Sequence, residues 1–242
     1  MTSIPTSAWP IIEARSHDPF SYLGCHLQDD GSTIIRVFKP RVKSVSLLLN
    51  PDDEIAMERL EGTDVFTAVL TADTDASDYR LRLRNGEGHD WEQDDPYRFP
   101  PLLGDMDLHL IGEGNHFEKY NVLGAHPCKH AGVAGVSFAV WAPSASRVSV
   151  VGNFNHWDGR EHPMRVRGSS GIWELFIPSL TNGEVYKYEI RTQSGELLEK
   201  TDPYGQQMEV RPNTASVVHD ANQYQWQDAE WVSNRPRHQA LD

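Results

Sequence analysis

The sequence predicts an all-β protein, built from two tandem immunoglobulin-like β-sandwich modules with little helix. The first reason is an internal repeat, in which five short motifs return in the same order roughly 100 residues later. Among them, Leu23-Gly24-Cys25-His26 returns as Leu123-Gly124-Ala125-His126, and Asp95-Pro96-Tyr97 returns as Asp202-Pro203-Tyr204. A period of this length suits two domains in tandem and is too long for a solenoid. The second reason is that both copies show short alternating segments separated by turn residues, which is typical of a β-sandwich.

The first 17 residues precede the repeat and are predicted to form an N-terminal extension (1–17) with a short helix around 11–15. Pro5 and Pro10 interrupt this segment, and it lacks the basic start and apolar stretch of a signal peptide. No part of the chain approaches the roughly 18 apolar residues of a membrane span. We therefore expect a cytoplasmic protein in which Cys25 and Cys128 are free thiols, although a secreted protein would be able to pair them.

Strands are expected where apolar and polar side chains alternate, because this spacing places one set on the buried face of a sheet. In the first copy the buried set is Tyr79, Leu81 and Leu83, and the outward set is Arg80, Arg82 and Arg84. In the second copy the buried set is Tyr186, Tyr188 and Ile190, and the outward set is Lys187, Glu189 and Arg191. The two modules are predicted to span 18–110 and 111–222.

Two segments carry no strand pattern. In 102–120, apolar residues near helical spacing are interrupted by glycines, which predicts an ordered linker with one helical turn. Residues 223–242 are predicted to be a connector toward a further domain.

The composition narrows the classes of partner. A net charge of −13 argues against nucleic acid and against an anionic membrane, because both require a basic surface. The eleven histidines form no HExxH motif and no close Cys/His set, so no metal is predicted. No glycine-rich phosphate loop and no recognisable catalytic motif is present. We therefore expect no cofactor and no catalytic residue, and a neutral ligand suits the charge best.

The clearest difference between the copies is a loop at 152–159, which reads Gly-Asn-Phe-Asn-His-Trp-Asp-Gly. Glycine and asparagine tolerate tight turns, so this loop should display Trp157. The matching stretch of the first copy, 50–54, has no aromatic residue. A tryptophan needed only for a shared core would be expected in both copies, so Trp157 is predicted to contact a ligand. The alternative is that Trp157 packs beneath its own loop.

The flat indole face of Trp157 suits the C–H face of a pyranose ring, whose hydroxyl groups need polar partners. Lys187 is expected on the outward face of its strand, where it would donate hydrogen bonds. Asn155 or Asn213 would supply an amide that both donates and accepts.

These motifs resemble known families. Val140-Trp141-Ala142-Pro143, the 152–159 loop, Tyr186-Lys187-Tyr188 and Asp202-Pro203-Tyr204 are similar to the glycogen-binding carbohydrate-binding module of many α-amylase-superfamily enzymes. The first copy, with Asp18-Pro19-Phe20 and the motif at 95–99, resembles the extra N-terminal module of bacterial 1,4-α-glucan branching enzymes. The resemblance covers roughly 18–220, and it implies that α-glucan (glycogen or malto-oligosaccharides) binds at Trp157 and Lys187.

The sequence departs from related sugar-binding modules, which often carry a second aromatic residue after the lysine-bearing strand. Here the stretch 194–200 has none, and Leu198 is the candidate for an apolar contact. A site with one aromatic surface should bind weakly, with a roughly millimolar dissociation constant, equivalent to about −4 kcal/mol.

The resemblance implies the non-catalytic N-terminal part of a branching enzyme of glycogen biosynthesis, positioning glucan for a (β/α)₈ catalytic barrel that forms α-1,6 branches. Such a barrel needs about 250 residues, and this chain shows no barrel motif, so the chain alone is expected to be inactive. The alternatives are a free-standing glycogen-binding or targeting protein and a pair of purely structural packing modules. A debranching or trehalose-forming relative would usually carry a single module.

The first copy is expected to pack rather than to bind sugar. Arg80, Arg82 and Arg84 place three like charges on one face, and these repel unless carboxylates lie close by. We expect the carboxylates to come from the connector, the second module or the barrel. The alternative is a plain solvated face.

Overall fold

The computed structural model describes residues 4–50, 53–72, 74, 76, 78–221, 224 and 226–238. Four antiparallel β-sheets account for most of the regular structure in these ranges. The helices are short: α1 (Trp9–Ile12), α2 (Asp105–Gly112) and α3 (Ala229–His238). None of these described helices is long and apolar enough to cross a membrane. The prediction of an all-β sandwich architecture is confirmed.

The first pair of sheets is built from eight strands. Their bounds are β1 (Gly24–Leu27), β2 (Thr33–Phe38), β3 (Val42–Asn50), β4 (Asp53–Ala56), β5 (Glu58–Arg59), β6 (Val65–Leu70), β7 (Arg80–Asn85) and β8 (Asp90–Asp94). One sheet has the order β1-β2-β6-β5 and the other has the order β4-β3-β7-β8. A buried cluster that includes Ile35, Leu47, Phe66 and Tyr79 fills the space between the two sheets.

The second pair of sheets repeats this plan. Its strands are β9 (Gly124–His130), β10 (Val133–Trp141), β11 (Ala145–Gly152), β12 (Arg165–Val166), β13 (Ile172–Pro178), β14 (Val185–Thr192), β15 (Leu197–Lys200), β16 (Gln207–Met208) and β17 (Ser216–Val217). The order β12-β13-β10-β9 reproduces β5-β6-β2-β1. The other sheet has the order β11-β14-β17-β16, with β15 also paired to β14.

The repeated Asp-Pro-Tyr motif builds the same corner in both copies. Asp95 accepts a hydrogen bond from the Tyr79 hydroxyl at 2.6 Å, and Asp202 accepts one from Tyr186 at 2.6 Å. Both carboxylates are buried, and each also accepts a backbone N–H from the tyrosine of its own motif. Because a buried carboxylate must be hydrogen-bonded, the alternating tyrosine and the aspartate recur together.

The helices differ from the sequence predictions in length and position. The linker helix α2 has eight residues, two turns rather than one. Gly104 caps its start and Gly112 is its last residue, so these glycines bound the helix instead of interrupting it. Near the N-terminus, α1 begins at Trp9, earlier than expected, because Pro10 fits the first turn of a helix. Helix α3 lies within the segment that was predicted as a connector.

The arginine face of β7 is neutralised by its own sheet. Arg82 pairs with Glu54 on β4 and with Glu92 on β8, and Arg80 also pairs with Glu92. Arg84 pairs with Asp90 on β8, and its Nε lies 2.6 Å from the carboxylate. The expectation that carboxylates face these arginines is therefore correct, but they come from adjacent strands because cross-strand neighbours are closest.

One continuous buried cluster joins the two modules. Phe38, Val65 and Tyr97 of the first module contact the core of the second, which includes Phe138 and Tyr186. The N-terminal residues Ala8 and Ile11 belong to the same cluster. The chain therefore buries apolar surface between its modules as well as inside them, which favours a fixed relative placement.

Candidate functional site

The loop that follows β11 takes the place of a strand in the first module. In the first copy, β3 is followed by β4, and the two strands pair antiparallel. In the second copy, β11 leads into a 3₁₀ turn at Asn153–Asn155, and the chain returns beside β11 through a bridge between Ser149 and Pro163. The residues between this turn and this bridge carry Trp157, whereas the first copy has strand β4 in the corresponding place.

Asn155 holds this loop together from the inside. Its Oδ1 accepts the Gly152 N–H at 2.9 Å, and its Nδ2 donates to the Val150 carbonyl at 2.8 Å and to His162 Nδ1 at 2.9 Å. Asn155 has no solvent exposure. The prediction of Asn155 as a sugar contact therefore needs correction: its amide is fully used by the loop and does not reach a ligand.

Trp157 has an unusual backbone conformation. Its φ is 60°, and that of the preceding His156 is 55°, so two consecutive non-glycine residues lie in the left-handed region. The Trp157 N–H donates to the Gly152 carbonyl at 2.9 Å, and its indole Nε1 donates to Asn153 Oδ1 at 3.0 Å. The indole is partly exposed. Its edge is therefore anchored while part of the side chain remains open to solvent.

Asp158 fixes the loop from outside. Its carboxylate accepts hydrogen bonds from the Arg160 guanidinium and from Arg41 Nη1, the latter at 2.8 Å. Burial alone would raise the pKa of Asp158, but the hydrogen bonds from Arg160 and Arg41 outweigh it and hold the pKa below its usual range. Arg41 also pairs with Glu161, so a residue of the first module holds the Trp157 loop at two points.

A cavity of about 470 Å³ lies beside Trp157, over the outward face of β14. Trp157, Arg160, Glu189, Arg191 and Leu197 contribute to its lining. Glu189 accepts a hydrogen bond from buried Arg147 and packs against Gly159, where a Cβ would collide with the Glu189 carboxylate. The arrangement combines an aromatic side chain, an apolar side chain and charged groups in one concave surface.

The other predicted residues are dispersed around this surface. Lys187 lies on the same outward face of β14 but outside the cavity lining, with its Nζ 3.6 Å from Glu199. Asn213 is exposed in the loop between β16 and β17, and donates to Glu209 at 3.1 Å. The Thr201 hydroxyl, just after β15, donates a hydrogen bond to the carbonyl of Thr214, which is next to Asn213. This bond connects the loop of Asn213 to the end of β15.

Leu198 points away from the Trp157 cavity. It pairs with Ile190, whereas its neighbour Leu197 pairs with Arg191. Cross-strand partners share one face of a sheet, so Leu198 lies on the face that Ile190 turns toward the core. Leu197 is 53% exposed and lines the cavity. The predicted apolar contact, Leu198, is therefore one residue away from the residue that lines the cavity, Leu197. Aligning β15 with β14 reveals this error, because side chains alternate between the two faces of a sheet.

His162, within this loop, should make the stability of the protein depend on pH. Burial, with a contribution from Lys39, lowers the pKa of His162 to about 3. In an unfolded chain the value is about 6.5, so unfolding takes up a proton in this window and stability falls as the pH drops from about 6.5 toward 3. The wild type should therefore lose free energy of unfolding between about pH 7 and about pH 4.5. In His162→Gln we expect this loss to be smaller, by on the order of 2 kcal/mol.

Urea unfolding of wild type and variant at the two pH values measures this difference. His109→Gln is the matched control, because it removes an imidazole that is 63% exposed on α2. Equal pH dependence in wild type and His162→Gln would contradict the assignment of a buried neutral imidazole.

A larger groove of about 1140 Å³ lies elsewhere, between α2 and the second module. Its lining includes Leu108, Ile111, Trp141 and Tyr204, and Trp141 is 58% exposed. Across the described ranges, no group of three histidine, cysteine or acidic side chains is arranged to hold a metal ion.

Comparison with known proteins gives the family context of these two modules. The family model for the alpha-1,4-glucan branching enzyme GlgB N-terminal domain matches residues 7–97, and that for carbohydrate-binding module 48 (isoamylase N-terminal domain) matches residues 122–205. The chain is 50% identical over 226 residues to the 1,4-alpha-glucan branching enzyme GlgB of Methylococcus capsulatus, covering 93% of this chain and 30% of that protein.

A second GlgB relative, from Cereibacter sphaeroides, is 47% identical over 242 residues, covering 99% of this chain and 33% of its own length. The chain thus spans about a third of the length of these curated relatives. Among solved structures, a pullulanase from Anoxybacillus sp. LM18-11 matches 84% of this chain and 28% of its own at 17% identity, with a TM-score of 0.37. By these matches the chain is similar to the N-terminal part of 1,4-alpha-glucan branching enzymes GlgB, with a region like the GlgB N-terminal domain at 7–97 followed by a region like carbohydrate-binding module 48 at 122–205.

Proposed function

We propose that the second module binds an α-glucan chain at Trp157, and that this region positions the glucan for a catalytic barrel that forms α-1,6 branches. The names of the relatives and of the carbohydrate-binding module support the substrate class. The observation that carries the proposal is the conformation of Trp157, an anchored and partly exposed indole beside a cavity on a strained loop.

The strain supports a ligand role because it has no evident packing benefit. A bulky residue in the left-handed region costs about 1–3 kcal/mol and persists where surrounding bonds impose it. Here those bonds come from the Gly152 carbonyl, which accepts the Trp157 backbone N–H, and from the Asp158 network, and they hold the loop whether or not a large indole is present. The indole is absent from the buried core cluster of the second module.

The cavity lining suits a glucosyl ring. The indole of Trp157 and the exposed side chain of Leu197 offer apolar surface for the C–H face of the ring. Glu189, Arg191 and Arg160 offer acceptors and donors for its hydroxyl groups. Lys187 and Asn213 lie farther along the same sheet, where a longer chain would reach them.

In this proposal the two modules have no catalytic role. Branching transfers a glucan segment through a retaining mechanism that requires a nucleophilic carboxylate and an acid about 5 Å apart. Those groups would belong to the barrel, and this chain would bring substrate to it with an affinity of about millimolar. A cytoplasmic location belongs to the same proposal, supported by the free thiols of Cys25 and Cys128.

One observation favours a second candidate, in which Trp157 packs against another domain. The indole is only partly exposed, and its Nε1–H is already used by Asn153. In that case the module would act as a structural support, and Trp157 would bury its open side in an interface rather than against sugar.

Titration with maltoheptaose separates the two candidates. We expect saturable binding by the wild type, and Trp157→Ala should weaken it by about 1–3 kcal/mol, a scale borrowed from aromatic stacking on nucleobases. The melting temperature should change little because the indole lies outside the core. Trp226→Ala is the matched control, since Trp226 is 77% exposed and distant in sequence from the loop.

Cellohexaose, a β-linked glucose oligomer, should bind neither the wild type nor Trp157→Ala appreciably. If Trp157→Ala lowers the melting temperature strongly while maltoheptaose affinity is retained, the packing role is correct and the proposed sugar site is wrong.

A further inference from the structure

We infer that the glucan site continues across the module junction onto the first module, where Trp91 supplies a second aromatic surface. This inference rests on the proposed function, because it assumes that a glucan chain occupies the Trp157 cavity.

The space for such a continuation exists. A second cavity of about 400 Å³ lies between the modules. Its walls are the turn from Lys39 to Val42, the β7–β8 end of the first module and the Trp157 loop. Arg41 and His156 line both this cavity and the one beside Trp157, so the two cavities meet at these side chains.

Trp91 has the placement that a sugar-binding surface requires. It pairs with Leu83, a core residue that is 1% exposed, so the indole turns toward the inner side of its sheet. Because β8 is an edge strand, the indole is not covered and remains 40% exposed. It is absent from the buried cluster of the first module. An aromatic side chain that lines a cavity without joining the core is open to contact with a ligand.

Polar groups accompany the indole. Asn85, Gln93 and His156 line the same cavity, and Gln93 accepts a hydrogen bond from the indole Nε1 at 3.4 Å. Amide and imidazole groups both donate and accept, which suits the hydroxyl groups of a neutral sugar. Phe154 adds apolar surface from the second module.

The relative position of the two indoles is fixed by the junction. Arg41, with a φ of 64°, extends from the first module to Asp158 and Glu161, on either side of Arg160 in the second. Tyr97 donates its hydroxyl to the Glu161 and Pro163 carbonyls at 3.3 and 3.2 Å. The loop that carries Trp157 is therefore attached to the module that carries Trp91.

This arrangement accounts for a gap in the second module. Strand β15 and the turn before it carry no aromatic residue, which leaves Trp157 as a single platform on that module. With Trp91, the first module provides the second platform, and a chain of several glucosyl units spans both. The combined site would then distinguish glucans by chain length, because a disaccharide reaches only one of the two indoles.

The test uses the whole chain with maltose and maltoheptaose as probes. We expect Trp91→Ala to weaken maltoheptaose binding about 5- to 10-fold, the lower part of the stacking range, and to leave maltose binding unchanged. Trp157→Ala should weaken the binding of both sugars. Trp226→Ala serves as the control for loss of an exposed indole, and the melting temperature of each variant reports its folding.

Should Trp91→Ala fail to fold, Trp91→Phe and the indole N–H resonances of the wild type keep the question open to measurement. Trp91→Phe identifies the Trp91 resonance, which should shift on addition of maltoheptaose but not maltose. Unchanged maltoheptaose affinity in Trp91→Ala, or an unmoved Trp91 resonance at saturation, overturns this inference alone. Absence of any maltoheptaose binding by the wild type overturns the proposed function instead.

Discussion

Replacing Glu174 by alanine should destabilise the protein by about 3–5 kcal/mol, because it leaves buried positive charge without a partner. Glu174 on β13 is 3% exposed, and it accepts hydrogen bonds from Arg167 Nη1 at 2.9 Å and from the Leu103 N–H at 3.0 Å. Arg165 Nε lies 3.7 Å from the same carboxylate. Burial lowers the pKa of Arg165 to about 10 even though the Glu174 charge opposes this shift.

Urea unfolding of wild type and Glu174→Ala measures this effect. The matched control is Glu92→Ala, because Glu92 pairs with two arginines on the open face of the first module and is exposed. Exposed ion pairs contribute little, so the control should unfold near the wild-type midpoint. A loss in Glu174→Ala no larger than in Glu92→Ala would contradict the role of Glu174 in joining the linker to the second module.

Tyr97→Ala should cost a similar amount, about 3–5 kcal/mol, because it opens a cavity where the modules meet. Tyr97 is buried in the cluster shared by both modules, and Phe20 packs edge-on against its ring at 5.0 Å. Removal of the side chain also leaves the Glu161 and Pro163 carbonyls without their donor. Tyr97→Phe keeps the ring and should cost only about 1 kcal/mol, the typical net value of one hydrogen bond.

Calorimetry checks both variants and the coupling between modules. The wild type should unfold in a single transition, since one buried cluster spans the junction. Tyr97→Ala should lower the transition temperature and separate it into two. A wild type that already unfolds in two independent steps, with Tyr97→Ala affecting neither, would refute the coupling.

Much of the fold follows from the sequence because strands such as β7 and β14 alternate with a period of two. The tyrosines of β14 are buried and the charged residues between them face outward, as this period requires. The repeated motifs also predicted a repeated corner, since a buried aspartate needs the same tyrosine and backbone donors in each copy. Strand patterns on one face of a sheet are local, and a single sequence displays them.

The candidate site was less predictable because its residues depend on tertiary contacts. Asparagine types in a loop predict turns, but they do not say that Asn155 turns inward to His162 while Asn153 turns toward the indole. Leu197 and Leu198 are alike in sequence, and only the register with β14 assigns one of them to the cavity. The contribution of Trp91 depends on the junction between the modules, which no local pattern describes.

A crystal structure of this chain with maltoheptaose would test the Trp157 site directly. We expect a glucosyl ring against the indole of Trp157, with its hydroxyl groups bonded to polar residues of the adjoining cavity. Density for the sugar only in the groove beside Trp141, with the Trp157 cavity empty at saturating ligand, would contradict it.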